Sequence, residues 1–368
     1  MALPESPESA SGGERATLVT YANEYRDAHP LKQRLVGAAA CVPLVGAALS
    51  DLLSGEHQYV PGPNGASAPK DRSSARRSTQ SSNWHESQFF LNKDGLAIFW
   101  RHWPASVGAG GAARGVVVVS HGLAEHCGRY DGVARKLAAG GFAVYALDHQ
   151  GHGQSEGARA HVMHFADFVA DVHELTRLAA ARHPAGLKVF LVGHSMGALI
   201  AVHSVHGAPA LYDGVVLCSP PLRVEKPPGA DLVVPNLATL MPKLRIVPLE
   251  IATLCRDDAV CDRYMNDPLV FHGNATLRLI NELASHVDVA QDVARNFATP
   301  YLLVHGTADK ICLFDGSESF HSKTLAQDKT FMPYEGHFHE LLNEGALSEQ
   351  AGVQRADDRV LAWLLERA

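Results

Sequence analysis

The stretch Lys188-Val-Phe-Leu-Val-Gly-His-Ser-Met-Gly-Ala198 constrains this chain more than any other. Val189 to Val192 is an apolar run that reads as a buried strand, and Gly193-His194-Ser195-Met196-Gly197 after it has the form G-x-S-x-G. The next run, Ala198-Leu-Ile-Ala-Val-His-Ser-Val, fits a helix. Strand, sharp turn and helix is the context in which this motif presents a nucleophile. A side chain on either glycine would collide with the neighbouring strand and helix at so tight a turn. The turn pushes the Ser195 hydroxyl out at the carboxyl edge of a sheet. It also sets the N–H of Met196 at a helix start, where it can face an anion. An ordinary glycine-rich strand–helix turn looks much the same, so the motif needs support from the rest of the chain.

That support comes from the pattern on both sides. Gly115 to Ser120 and Phe142 to Asp148 are continuous apolar runs of the kind buried on both faces of a sheet. Gly214 to Cys218, Pro300 to His305 and Thr330 to Tyr334 read as further strands. Ser87 to Leu91 and Leu96 to Trp103 read as a hairpin turning at Lys93-Asp94-Gly95. Between them lie helical stretches at Asp131 to Ala139 and Phe165 to His183, and Val353 to Leu365 closes the chain as a helix. Strands alternating with helices predict a mostly parallel central sheet flanked by helices. From Ser219 to Thr299 no buried strand is visible; the segment is rich in proline, with short apolar patches such as Leu232-Val-Val-Pro-Asn-Leu. Its place after the strand that follows the Ser195 turn predicts a helical cap at about 220–297 overhanging the edge that carries Ser195.

Residues 85–368 therefore read as one domain and 1–84 as an arm. Residues 1 to 30 carry Glu5, Glu8, Glu14, Glu24 and Asp27 and no basic run leading into an apolar core, which argues against a secretory signal or transit peptide. Leu35 to Leu49 is uncharged but is broken by Pro43 and rich in Ala and Gly, unlike a spanning helix. A helix or turn docked on the domain is the favoured reading; a membrane-surface contact preceded by Lys32 and Arg34 is the other. Gly55 to Ser82, with Pro, Gly, Ser and a basic cluster at Lys70, Arg72, Arg76 and Arg77, reads as a linker. A net charge of −7 with scattered Lys and Arg excludes a nucleic-acid footprint. The six cysteines lack C-x-x-C or metal spacing and fit a reducing, cytoplasmic compartment. His149/His152 and His337/His339 lack a third ligand at a sensible spacing, so no metal is expected.

A serine hydroxyl needs a base to take its proton and a carboxylate to orient that base, in the chain order Ser, acid, His. The strand ending at His305 runs into Gly306-Thr-Ala-Asp309, which places Asp309 in the loop at the carboxyl end. Asp315 lies further on, and Glu318 falls in the following helix. The last strand runs into Glu335-Gly336-His337-Phe338-His339, followed by Glu340-Leu-Leu, which reads as a helix start. Two histidines are offered, and sequence geometry does not separate them. An oxyanion hole needs two N–H donors: Met196 supplies one, and His121-Gly122-Leu123 after the Gly115 strand supplies Leu123 as the other. Asp148-His-Gln-Gly-His-Gly-Gln-Ser155 reads as a tight loop bracing the turn at Ser195.

With these residues in view the chain resembles the monoglyceride lipase family of the α/β-hydrolase superfamily. The resemblance rests on Ser120-His-Gly-Leu-Ala-Glu-His-Cys-Gly-Arg-Tyr130, Asp148-His-Gln-Gly-His-Gly-Gln-Ser-Glu-Gly157, Gly193 to Gly197, Asp267-Pro-Leu-Val270, Gly306-Thr-Ala-Asp-Lys-Ile-Cys312 and Tyr334-Glu-Gly-His-Phe-His339. It covers about residues 85 to 367 and implies an α/β-hydrolase fold with a cap. It implies Ser195 as nucleophile, Asp309 as orienter, His339 as base, and the Leu123 and Met196 N–H groups as oxyanion hole. It places Glu125, Arg129 and Tyr264 at a polar end that receives glycerol, and Cys312 in the pocket. His337 and Leu342 depart from the family's pattern, which has a small residue and can have a histidine there. The implied reaction is cleavage of monoacylglycerol to fatty acid and glycerol through an acyl-enzyme, without cofactor, with peripheral membrane contact. The alternatives are a lysophospholipase, a general carboxylesterase or thioesterase, and a non-catalytic ligand-binding scaffold.

Overall fold

The computed structural model describes residues 88–107, 111–226, 228–247, 253–344, 352 and 354–368. The expectations for the arm at 1–84, for Leu35 to Leu49 and for the linker lie outside the described residues.

The apolar runs become an eight-stranded sheet: β1 (Gln88–Leu91), β2 (Ala97–Trp103), β3 (Gly115–Ser120), β4 (Phe142–Leu147), β5 (Val189–His194), β6 (Gly214–Cys218), β9 (Tyr301–Gly306) and β10 (Lys329–Tyr334). They are ordered β1-β2-β4-β3-β5-β6-β9-β10. β2 runs antiparallel to β1 and β4, and every other pairing is parallel. Continuous apolar runs are needed because the sheet is covered twice. In β3, Val116 and Val118 face one core while Val117 and Val119 face the other; β5 splits Leu191 from Phe190 and Val192 in the same way. A strand's side chains alternate between faces, so only an unbroken run serves two cores at once.

Helices α1 (Asp131–Ala139) and α8 (Ala356–Leu365) cover one face, with Val133, Leu137, Val360 and Trp363 buried against it. Helices α2 (Phe165–Ala180) and α3 (Met196–Gly207) cover the other through Phe165, Phe168, Leu199 and Val202. Helix α7 (Phe314–Lys323) joins that face through Phe320. This is the predicted mostly parallel, helix-flanked architecture of an α/β-hydrolase.

The insertion after β6 is only partly the separate cap that its composition suggests. Helix α4 (Ala230–Leu240) anchors through Ala238, beside Leu244 and Leu277, and leaves Leu232, Val233 and Leu240 exposed. Helix α5 (Asp258–Met265) follows. A short antiparallel pair, β7 (Arg245–Val247) and β8 (Ala275–Thr276), corrects the expectation that no buried strand occurs here: Ala275 and Thr276 are buried. Helix α6 (Leu277–Val293) buries Leu279, Val287 and Ala290 in the core shared with α2 and α3. The second half of the insertion is therefore packed into the body. Among the described residues no helix is long and apolar enough to cross a membrane.

The sheet register aligns the site. Ser120 pairs with Gly193, His194 with Cys218, Cys218 with Val304, and Gly306 with Tyr334. Each of these strands thus ends at one level, and its following loop starts on one rim.

Candidate active site

The turn at Ser195 is built as the motif requires. Ser195 has φ 53° and ψ −123°, outside the regions open to most side chains. Its carbonyl accepts from the N–H groups of Ala198 and Leu199, and its N–H donates to the Cys218 carbonyl at 2.9 Å. A Cβ on Gly193 would lie 2.4 Å from the Gly197 carbonyl oxygen, and one on Gly197 would lie 2.1 Å from that of Ser120. Both contacts are forbidden to any side chain, so both glycines are structural requirements. Met196 and Gly197 open α3, where first-turn N–H groups have no partner within the helix.

The loop from β3 closes on the same point. A Cβ on Gly122 would stand 3.2 Å from the Cβ of Ser195 and 2.7 Å from Glu125 Oε1. The Gly122 N–H itself donates to Glu125 Oε1 at 2.6 Å. The next donor along this loop is the N–H of Leu123.

Asp309 sits in the loop after β9 with its carboxylate fully buried. Oδ1 accepts from the N–H groups of Ile311 and Cys312 at 2.8 and 3.0 Å. Oδ2 accepts from Nδ1–H of His339 at 2.7 Å and lies 3.2 Å from Nε2 of His305. Burial alone would raise its pKa. The His339 ring, the His305 ring and the Cys312 N–H outweigh burial and hold the carboxyl well below the usual range.

The turn from β10 brings His339 to Asp309 because it lies almost on the end of β9: a Cβ on Gly306 would be 2.3 Å from the carbonyl oxygens of both His337 and Phe338. The His339 carbonyl accepts from Ser219 Oγ at 2.9 Å and from His194 Nε2 at 3.2 Å. His339 is thereby fixed at its backbone by the residue that precedes Ser195. His337 goes elsewhere. Its ring packs edge-on against Tyr334, and its Nδ1 lies 2.9 Å from the Glu335 carbonyl. The helix expected at Glu340-Leu-Leu is a turn instead. Glu340 is buried there and accepts from Arg129.

Beneath the rim lies a buried ionic cluster. Arg129 makes a two-pronged bond to Glu340, 2.9 and 3.1 Å, and also contacts Glu125. Tyr130 donates to Glu125 at 2.6 Å, with His194 Nδ1 2.8 Å from the same hydroxyl. The Tyr264 ring lies under the guanidinium, 4.7 Å from ring centre to Cζ. Burial raises the carboxyl pKa values of Glu125 and Glu340, but Arg129 and His194 beside them together hold both below the usual value. Burial disfavours a charged His194, but Glu125 and Glu340 raise its pKa nonetheless. Glu125, His194 and Glu340 bring ligand-type atoms within 4.8 Å of one another. Arg129 already contacts both carboxylates, so the cation of this cluster is the arginine.

Cys312 is buried; burial and then Asp309 raise its thiol pKa well above the usual value, and the Ser195 hydroxyl acts in the opposite direction. The Asp148 loop braces the rim as its sequence suggests. Asp148 accepts from the N–H groups of Cys127 and Gln154, and His149 Nε2 lies 2.9 Å from Ser120 Oγ. Sequence reasoning passed over His305, His194 and Glu340. Their only signal was position: the end of β9, the residue before Ser195 and the residue after His339.

A mostly parallel sheet with a Ser195 turn, an Asp309 loop and a His339 loop on one rim defines an α/β-hydrolase of the serine type. The sequence pattern of the serine aminopeptidase, S33, family matches residues 111–346. Human monoglyceride lipase is 35% identical over 278 residues, 74% of this chain and 90% of that protein. The monoacylglycerol lipase of Mycolicibacterium smegmatis is 33% identical, over 75% of this chain and 95% of that one. The crystal structure of Paleococcus ferrophilus monoacylglycerol lipase superposes with a TM-score of 0.64 at 28% identity, covering 74% of this chain and 99% of that one. The chain belongs to the monoglyceride lipase family.

Proposed function

We propose that this chain is a serine hydrolase that cleaves monoacylglycerol to free fatty acid and glycerol. Ser195 is the nucleophile, His339 the base and Asp309 its orienter. The observation that carries the reading is the 2.7 Å bond from His339 Nδ1 to Asp309, on the rim where Ser195 is held in its strained turn. With Nδ1–H given to Asp309, the lone pair of His339 is on Nε2, free to take the Ser195 proton. The hydroxyl oxygen attacks the ester carbonyl, and the N–H groups of Leu123 and Met196 receive the charge on its oxygen. Glycerol leaves with the proton from His339. Water, activated by the same imidazole, then releases the fatty acid.

Glu125, Arg129 and Tyr264 bind each other and give the glycerol end a polar wall, with Cys312 beside the reacting hydroxyl. The apolar end is served by the cap: Leu232, Val233 and Leu240 on α4 are 75%, 60% and 80% exposed. The same residues make the peripheral contact with a lipid surface. Residues 85–368 form the hydrolase domain.

A lipid panel tests this reading. Full-length protein is offered 2-oleoylglycerol, a lysophosphatidylcholine and a short soluble ester. Fatty acid released fastest from 2-oleoylglycerol supports it. Preference for the lysophospholipid, or turnover of the short ester alone, overturns the substrate assignment.

A further inference from the structure

We propose that Cys255 and Cys261, in the segment leading into α5, form a reversible disulfide under peroxide, and that this bond slows the hydrolase. Neither thiol takes part in the chemistry above. Cys255 lies two residues before Asp257, the N-cap of α5, whose side chain accepts from the Ala259 N–H at 2.9 Å. Cys261 is the fourth residue of that helix, so the first turn folds it back over Cys255.

The contacts are direct. The Cys261 thiol reaches the Cys255 carbonyl at 3.5 Å, and the Asp257 N–H donates to Cys255 Sγ at 3.4 Å. With the Cys261 sulfur held against the Cys255 backbone, each thiol shifts the other's ionisation, favouring the Cys261 thiolate and disfavouring that of Cys255. Cys255 is 5% exposed, whereas Cys261 is half-buried. One sulfur is thus accessible and the more readily ionised, and the other waits behind it. Cys127, Cys218 and Cys312 are buried, with burial raising each thiol pKa.

The oxidant is hydrogen peroxide. The Cys261 thiolate attacks one peroxide oxygen, the O–O bond breaks, and hydroxide leaves to become water; Cys261 is now a sulfenic acid. The Cys255 sulfur attacks it, forming S–S, and its proton and the departing hydroxyl leave as a second water. Two thiols are oxidised by two electrons, and one peroxide is reduced to two waters. A dithiol reverses the bond by exchange.

The consequence runs through the neighbours of Cys255. The Leu254 carbonyl accepts from the Glu340 N–H at 3.1 Å. Arg256 binds the buried Glu344 twice, from its backbone N–H at 2.6 Å and from Nε at 2.8 Å. Both partners belong to the turn immediately after His339. A disulfide holds its sulfurs about 2.05 Å apart, well inside the contact distance of two separate thiols. Closing that gap pulls the backbone of Cys255, and its ties carry the pull to the turn that positions His339. This activity effect rests on the proposed role of His339; the bond itself does not.

The test uses full-length protein, treated with hydrogen peroxide, alkylated and digested with trypsin without reduction. Cleavage after Arg256 and Arg263 leaves the two cysteines on separate peptides, which only the disulfide joins. The expected result is the joined pair by mass, separated by dithiothreitol, with a several-fold loss of short-ester hydrolysis that dithiothreitol restores. Cys255→Ser and Cys261→Ser should keep basal activity and lose this dithiothreitol-reversible response. Oxidation of the two thiols to separate sulfinic acids with no joined peptide would overturn the proposal. So would a joined peptide with unchanged hydrolysis. The joined peptide is read without substrate, so failure on monoacylglycerol is distinguishable from failure here.

Discussion

His339 donates its Nδ1–H to Asp309 at 2.7 Å, whereas His337, two residues earlier, rests on Tyr334. Both rings are buried, and only one is aligned by the carboxylate. Replacing His339 with Ala should lower kcat on a short soluble ester by about 10³-fold or more, while His337→Ala should stay within about tenfold of wild type. The rate ratio of the two variants checks this, and a larger loss at His337 would reverse the assignment.

Gly122 separates the effects of site and fold. The missing Cβ faces Ser195 and Glu125, so Gly122→Ala puts a methyl group where the loop after β3 meets Ser195. The Glu125 carboxylate can yield slightly, and the fold should survive. Esterase activity is expected to fall by about 10² or more, the scale of a lost oxyanion donor, with a thermal midpoint only a few degrees lower. Gly197→Ala faces the Ser120 and His121 carbonyls instead, which cannot yield, and is expected to reduce the folded yield itself.

Arg129 holds two buried carboxylates. Arg129→Met leaves Glu125 and Glu340 without their cation, and should cost about 3–5 kcal/mol of stability, as for other broken buried pairs. Adding Glu340→Gln removes one of the stranded charges and should recover part of that loss. Urea denaturation of the three proteins decides; an additive double variant would show that the cluster is not coupled.

Asp171 gives a pH signature away from the site. It is buried, with Asn92 Nδ2 at 3.4 Å, and burial raises its pKa to about 7. Because the folded value lies above the unfolded one, the folded protein holds the extra proton between about pH 4 and 7. Stability from this group is complete at the acid end of that window and is lost as pH rises through it. Asp171→Asn should remove that loss and gain on the order of 1–3 kcal/mol over wild type at pH 8, with little difference at pH 4. A variant less stable than wild type at pH 8 would contradict the sign.

The strands were legible because burial on two faces forces unbroken apolar runs: β3 and β6 lie where the sequence places them. The turn at Ser195, the Asp309 loop and the His339 loop were legible because tight turns need glycine and chemistry needs particular side chains. What escaped was long-range. Arg129 and Glu340 are 211 residues apart in the chain, and nothing local at Glu340 tells it from the first residue of a helix. The β7–β8 pair is too short to show a period, and α6 has the composition of a cap helix while packing as a body helix. The choice between His337 and His339 depended on the turn's path over Gly306, which two histidines in one string do not encode.

The central claim is that a fatty acyl group passes through Ser195. Full-length protein turning over 2-oleoylglycerol is quenched in acid, and the peptide carrying Ser195 is weighed. The account requires an oleoyl ester on Ser195, absent from Ser195→Ala, with fatty acid release abolished in that variant. Turnover with no acyl group on Ser195, or release that persists in Ser195→Ala, would contradict it.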